Sequence, residues 1–320
     1  MIKGHEIVKF EERPVARALD MAALVEDFLK AQDVQEISKK MYRVGVKTFL
    51  AWLSREGVDH PNRNDMLRFR DHLKGLNLAP NSINCYLTAT KRFFAYLEGE
   101  GSYRDITRNV KSVKQSKAHH LRESLTENQV RQILESIDRS SLLGKRNYAM
   151  VLLMASTGLR TCSVVQADLG DLRSNGREAE LKYKNKGAED KGEAVLIVEH
   201  VLKPITAYLK ARRKTRADTP LFTSHSENGT NGRLTTKTIR HIVKDLLRKN
   251  GIDDPRLSAH SLRHTFATIS LQNGATLLDV SKALAHSSIT TTMIYVHQID
   301  RMGSSAAERF VDFMPQEARA

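Results

Sequence analysis

Apolar residues recur three and four apart along most of the chain, and one short stretch, Ala179 to Val198, has the spacing of strands instead. A 3.6-residue period puts such positions on one face of a helix, so the chain can bury its hydrophobic surface only by packing helices together. From Met21 to Gly99 breakers cut the pattern into four segments. Leu24, Val25, Phe28 and Leu29 mark the first, and Tyr42, Val46, Phe49, Leu50 and Leu53 a second, expected to run from an N-cap near Ser38 to Gly57. Asn64 and Asp65 are expected to cap a third, carrying Leu67, Phe69 and Leu73, and Pro80 to open a fourth with Ile83, Tyr86, Leu87, Phe93, Phe94 and Leu97. The implied unit is a four-helix bundle within residues 1–100.

Residues 101–122 are poor in apolar side chains and dense in Lys, Arg, Ser and His, which reads as a basic linker. Helical spacing resumes with TENQVRQILESID, where Thr126 and Gln129 fit a capping box, and with the nearly all-apolar NYAMVLLMASTG. Ala179 to Val198 reads as two strands, AELKY and GEAVLIV, around a charged turn, and four more helical patterns follow. Beyond them SSAAERFVDFM again carries Ala307, Phe310, Val311 and Met314 at helical spacing. The expected fold class is mainly α with a small antiparallel β-sheet, in two domains, the second spanning residues 123–320. A chain of 320 residues is long enough for both to bury a core.

Charge narrows the partner. With 51 Lys and Arg against 37 Asp and Glu the formal net charge is +14, which suits an approach to a polyanion, with nucleic acid first among them. The two cysteines, Cys85 and Cys162, form neither a disulfide framework nor a metal-ligand cluster. No signal-peptide core stands at the start and no run approaches the roughly eighteen apolar residues of a membrane span. A soluble, cytoplasmic protein with no membrane partner is expected.

Three clusters carry chemistry. In LLMASTGLR a buried helix meets Gly158 and delivers Arg160 just after the turn, and an arginine offers a planar fork of donors suited to a phosphate diester. In SAHSLRHTFAT, His260 and Arg263 lie three apart on one helix face, pairing a group that trades protons near neutrality with a fixed positive charge. In LAHSSITTTMIYVH, His286 precedes Tyr295 by nine residues, with a Thr-rich turn expected between. No HExxH or paired-carboxylate arrangement gives His286 metal-ligand company. Taken singly, Arg160, the His260 and Arg263 pair and Tyr295 are each more often capping, surface or core groups than reacting ones.

Taken together they resemble the tyrosine recombinase, or phage integrase, family, whose site combines an Arg, a Lys, a His-x-x-Arg, a His or Trp and a nucleophilic Tyr. Thr157 to Arg160 matches the first Arg motif, His260 and Arg263 the second, and Leu284 to Tyr295 the stretch that leads to the tyrosine. The resemblance is strongest over Leu125 to Tyr295, and the amino-terminal bundle is similar to the family's SAM-like core-binding domain. It implies Arg160, Lys186, His260, Arg263, His286 and the nucleophile Tyr295 as site residues, with no cofactor and no metal. The lysine belongs on the turn between the two strands, where Lys184, Lys186 and Lys191 are available, and Asn185 to Gly187 is similar to the family's Gly-Lys-Gly. Two positions depart from the pattern: Ser163 stands where many members carry an acidic residue, and Ala285 where a Gly usually precedes the His. The implied activity is site-specific cutting and rejoining of DNA through a 3′-phosphotyrosyl link, for integration, excision or resolution of a DNA element. The implied partners are double-stranded DNA with paired sites, accessory proteins, and further copies of the chain in a homotetramer joined through the tail, which could equally pack on its own domain.

Overall fold

The computed structural model describes residues 18–114, 123–174, 178–185, 190–213, 216–225, 232–286 and 288–300, with the side chains of 18–21 and 297–300 excepted. Lys186 and the tail segment SSAAERFVDFM lie outside the described residues. The chain divides into two compact units, Met1–His120 and Leu121–Ala320.

The first unit holds α1 (Ala18–Ala31), α2 (Glu36–Arg55), α3 (Arg63–Gly75) and α4 (Pro80–Gly99). Its core is aromatic: the Phe49 ring meets Phe69 edge-on at 4.9 Å, Phe28 meets Phe93 at 5.4 Å, and Trp52 closes the same cluster. Edge-to-face packing of this kind adds to the stabilisation from area burial alone. Gly45 lets α2 and α4 approach, since a Cβ there would sit 2.5 Å from the Ala89 Cβ.

Two helix starts differ from expectation. The α2 N-cap is Gln35, which puts Ser38 inside the first turn, and the α3 N-cap is Asn62, with Asp65 completing a capping box at N3. Asn62 and Asp65 satisfy two exposed backbone donors reciprocally, which Asn64 and Asp65 as neighbours could not do. The segment after α4 also departs from a plain tether. Tyr103, Ile106 and Val110 are buried in the first unit's core, the Tyr103 hydroxyl donates to the Pro61 carbonyl at 2.9 Å, and Asn84 exchanges two hydrogen bonds with the Val113 backbone. Those apolar side chains, spaced three and four apart, make residues 103–113 part of the bundle.

The second unit is built on α6 (Leu142–Thr157), flanked by α5 (Glu127–Glu135), α8 (Glu199–Arg212) and α10 (Ala259–Gln272). Thr126 and Gln129 form the expected capping box at the start of α5. A three-stranded antiparallel sheet has the order β1 (Leu172–Ser174), β2 (Ala179–Tyr183), β3 (Glu193–Ile197), with Leu181 opposite both Leu172 and Val195. β2 and β3 are the two expected strands. β1 is too short to show alternation and went unforeseen. The pleat of β2 buries Ala179, Leu181 and Tyr183 and turns Glu180 outward. α7 (Thr161–Gln166), α9 (Thr236–Lys249), α11 (Leu277–Ala283) and α12 (Thr290–Asp300) complete the unit. The Thr-rich segment expected as a turn forms the first turn of α12, because tertiary packing overrides the weak helix propensity of β-branched residues.

Some of the basic side chains serve structure. Buried Arg146 donates to the Thr223 and Ser224 carbonyls, and buried Arg212 to those of Pro220 and Leu221, fixing the loop after α8. Among the described residues no helix is long and apolar enough to cross a membrane.

Candidate active site

Gly158 ends α6 in the left-handed conformation, φ 65°, where a Cβ would fall 2.6 Å from Leu284 and 2.7 Å from Phe266. Only glycine fits both that dihedral and that contact. The chain then turns so that Arg160 becomes the N-cap of α7, and its guanidinium donates to the Asn185 Oδ1 at 2.5 Å.

Arg263, from α10, is 4% exposed. Its Nη1 donates to the Gly158 carbonyl at 2.8 Å and its Nη2 to the Leu284 carbonyl at 2.7 Å. One guanidinium thereby ties the turn before Arg160 to the turn before His286. Burial, then the like charge of Arg160, lowers its pKa to about 10, still well above neutrality, so Arg263 stays charged. Buried Arg263 feels the like charge of half-buried Arg160, a repulsion that an anion would relieve.

The rings form a connected set. His260 and His264 meet edge-on at 4.9 Å, His264 tilts against Tyr295 at 5.3 Å, and His286 lies nearly parallel to Tyr295 at 6.5 Å and 7°. Tyr295 is buried on α12 beside Ala267, Val280 and Leu284. Burial raises the pKa of its hydroxyl, while Arg263 and Arg160 pull it down. His264 was not singled out in the sequence. Its position four residues after His260, hence on the same helix face, was the available signal.

His286 shares a hydrogen bond of 2.8 Å between its Nδ1 and the Oγ1 of buried Thr292. Burial first, then Arg263, Arg160 and His264, lower its pKa from 6.5 to about 4, so the ring is neutral at physiological pH. The unfolded chain takes up this proton near pH 6.5 and the folded chain only near pH 4. The stabilisation from keeping the ring neutral is complete above pH 6.5 and lost as pH falls toward 4, amounting to about 2 kcal/mol by about pH 5. Urea unfolding of His286→Gln, which cannot titrate, should show a shallower fall in stability between about pH 7.5 and pH 5 than the parent. Parallel falls would contradict the neutral, buried ring.

The two departures from the family pattern have physical accounts. Ser163 is buried, and its hydroxyl donates to the Lys184 carbonyl at 2.9 Å, a bond that an ionised acidic side chain could not make. Ala285 has φ 46°, so the position favours glycine for its backbone as well as its size. Ala285→Gly should raise the denaturant midpoint, with a gain of about 0.5–1 kcal/mol after the added entropy of the unfolded chain is offset. An unchanged or lower midpoint would count against strain there.

Of the three candidate lysines, Lys191 is bound in ion pairs to Asp168 at 2.8 Å and Asp171 at 2.5 Å. It anchors the start of β3 and is poorly placed to give up a proton elsewhere, since the paired carboxylates raise its pKa against burial. Lys184 belongs to the turn that Ser163 fixes, and Lys186 lies outside the described residues. Among the described residues no group of His, Cys, Asp and Glu could hold a metal ion.

The family comparisons give the class of this two-unit chain, a DNA strand-transfer enzyme of the integrase type. The phage integrase family matches residues 123–302, and the phage integrase N-terminal SAM-like domain matches residues 23–101. The chain belongs to the phage integrase family of tyrosine recombinases. It is 31% identical over 287 residues to tyrosine recombinase XerA of Pyrococcus furiosus, covering 89% of this chain and 93% of that protein. It is 29% identical over 291 residues to tyrosine recombinase XerD of Listeria innocua, covering 87% and 94%. The fold is similar to that of the XerH site-specific recombinase solved with palindromic difH substrate as a post-cleavage complex, with TM-score 0.71, 22% identity, and 88% and 83% of the two chains covered.

Proposed function

We propose that the chain is a site-specific recombinase whose Tyr295 hydroxyl attacks a scissile phosphate in double-stranded DNA. The observation that carries this reading is the company of Tyr295: its ring touches His264 and His286, and both Arg263 and Arg160 act electrostatically on its hydroxyl. In the proposed step the Tyr295 Oη–P bond forms as the P–O5′ bond breaks, leaving a 3′-phosphotyrosyl link and a free 5′-hydroxyl. A 5′-hydroxyl from a second strand reverses the step, so the phosphodiester energy is conserved and ATP is not consumed.

The phenol is held protonated by burial, so it needs a base, and His260 is assigned that role with His264 packed against both rings. Neutral His286 offers a hydrogen bond to a non-bridging oxygen. Arg160 and Arg263 offset the charge that develops on the phosphorane, an effect worth about 3 kcal/mol per donor in a site shielded from water. Arg263 arrives preorganised by its two backbone carbonyls. Lys186 protonates the leaving O5′. The physiological outcome is integration, excision or resolution at paired sites, carried out by a homotetramer joined through the tail.

The test offers the protein a duplex it binds selectively, nicked so that the released 5′-hydroxyl fragment diffuses away. A protein–DNA adduct that survives a denaturing gel is expected. A protein that binds the duplex tightly and never forms the adduct would exclude the reading.

A further inference from the structure

Asn185 lies in the β2–β3 turn, two residues past the end of β2 at Tyr183, at the place where the family pattern has glycine before its lysine. Its carboxamide joins segments remote in sequence. Arg160 donates to its Oδ1 at 2.5 Å, and its Nδ2 donates to the Ala285 carbonyl at 3.2 Å. The partners fix the orientation of the amide, because a guanidinium can only donate and a carbonyl can only accept. A glycine here would supply neither bond.

Both described flanks of the segment between β2 and β3 have anchors other than Asn185. Ser163 holds the Lys184 carbonyl, and Asp168 with Asp171 holds Lys191 at the far end of the same segment. What Asn185 adds is a neutral oxygen against the Arg160 guanidinium and a tether to the strained residue that precedes His286. A phosphate oxygen makes the stronger, charge-assisted version of the same bond and can displace the amide. We propose that Asn185 is a positioning residue that stands in for a phosphate oxygen on Arg160 before DNA arrives and, through the Ala285 carbonyl, ties the end of β2 to the segment carrying His286. This rests on the reading of Arg160 as a phosphate-binding residue.

The experiment compares the parent protein with Asn185→Ala and Asn185→Asp, measuring binding to the nicked duplex and the single-turnover rate of adduct formation. Asn185→Ala is expected to cleave about tenfold more slowly with affinity within about twofold, because Arg160 is present but no longer preset. Asn185→Asp keeps an acceptor for Arg160 yet is expected to be slower still, about a hundredfold, since its carboxylate competes with the phosphate. A merely structural tie predicts the opposite order, with Asn185→Asp the more active of the two. That order, an Asn185→Ala rate equal to the parent, or a loss of affinity as large as the loss of rate in both variants would overturn the inference. If Asn185→Ala unfolds, the near-isosteric Asn185→Asp carries the comparison with the parent. Failure of the parent itself to form an adduct would instead remove the proposed function.

Discussion

Tyr295→Phe should bind DNA as the parent does and form no covalent adduct, a loss of roughly 10⁴-fold or more in cleavage. The substitution takes away only the hydroxyl. The ring that packs beside Ala267, Val280 and Leu284 and touches His264 and His286 remains, so the melting temperature should move by little. Single-turnover cleavage on the nicked duplex, with binding measured in parallel, separates the two effects. Residual adduct at more than a trace would place the nucleophile elsewhere.

Arg263→Lys should be the next most damaging change, in two ways at once. A lysine ammonium is a compact charge that cannot span the Gly158 and Leu284 carbonyls as the guanidinium fork does. One buried carbonyl then loses its donor, at a cost of about 1–3 kcal/mol in folding stability. Cleavage should fall by roughly 10²–10³-fold, because the charge that faces the phosphate moves and the turns bearing Arg160 and His286 loosen together. Denaturant unfolding checks the first effect and single-turnover rates the second. Parent-like values in both would mean that Arg263 is neither a tether nor a phosphate partner.

Much of this is legible in the amino-acid sequence. Helical spacing announced α1 to α5 and α8 to α11, a nearly all-apolar run announced α6, and the Gly158–Arg160 turn could be read because a helix-ending glycine is a sharp local signal. Boundaries were less legible: Ser38 and Asn64 are plausible caps by type, and the choice of Gln35 and Asn62 is made by where the helix face meets the core. The burial of Tyr103, Ile106 and Val110 escaped notice because three apolar residues in a basic segment carry no weight until a surface is there to receive them. Within the site, side-chain types and order revealed the charged groups. They could not reveal what holds those groups, since the acceptors on Arg263 are backbone carbonyls that any sequence supplies. Asn185 gave no signal of its role either, an amide in a turn being ordinary turn chemistry. The neutral state of His286 follows from burial and two nearby arginines, a property of the assembled site and of no local motif.

The central claim, that Tyr295 carries the DNA, is tested most directly by isolating the adduct formed on the nicked duplex, digesting both components and identifying the nucleotide-bearing peptide by mass spectrometry. The account predicts a 3′-linked nucleotide on the hydroxyl of Tyr295. A nucleotide on any other residue, or a 5′ linkage, would contradict it.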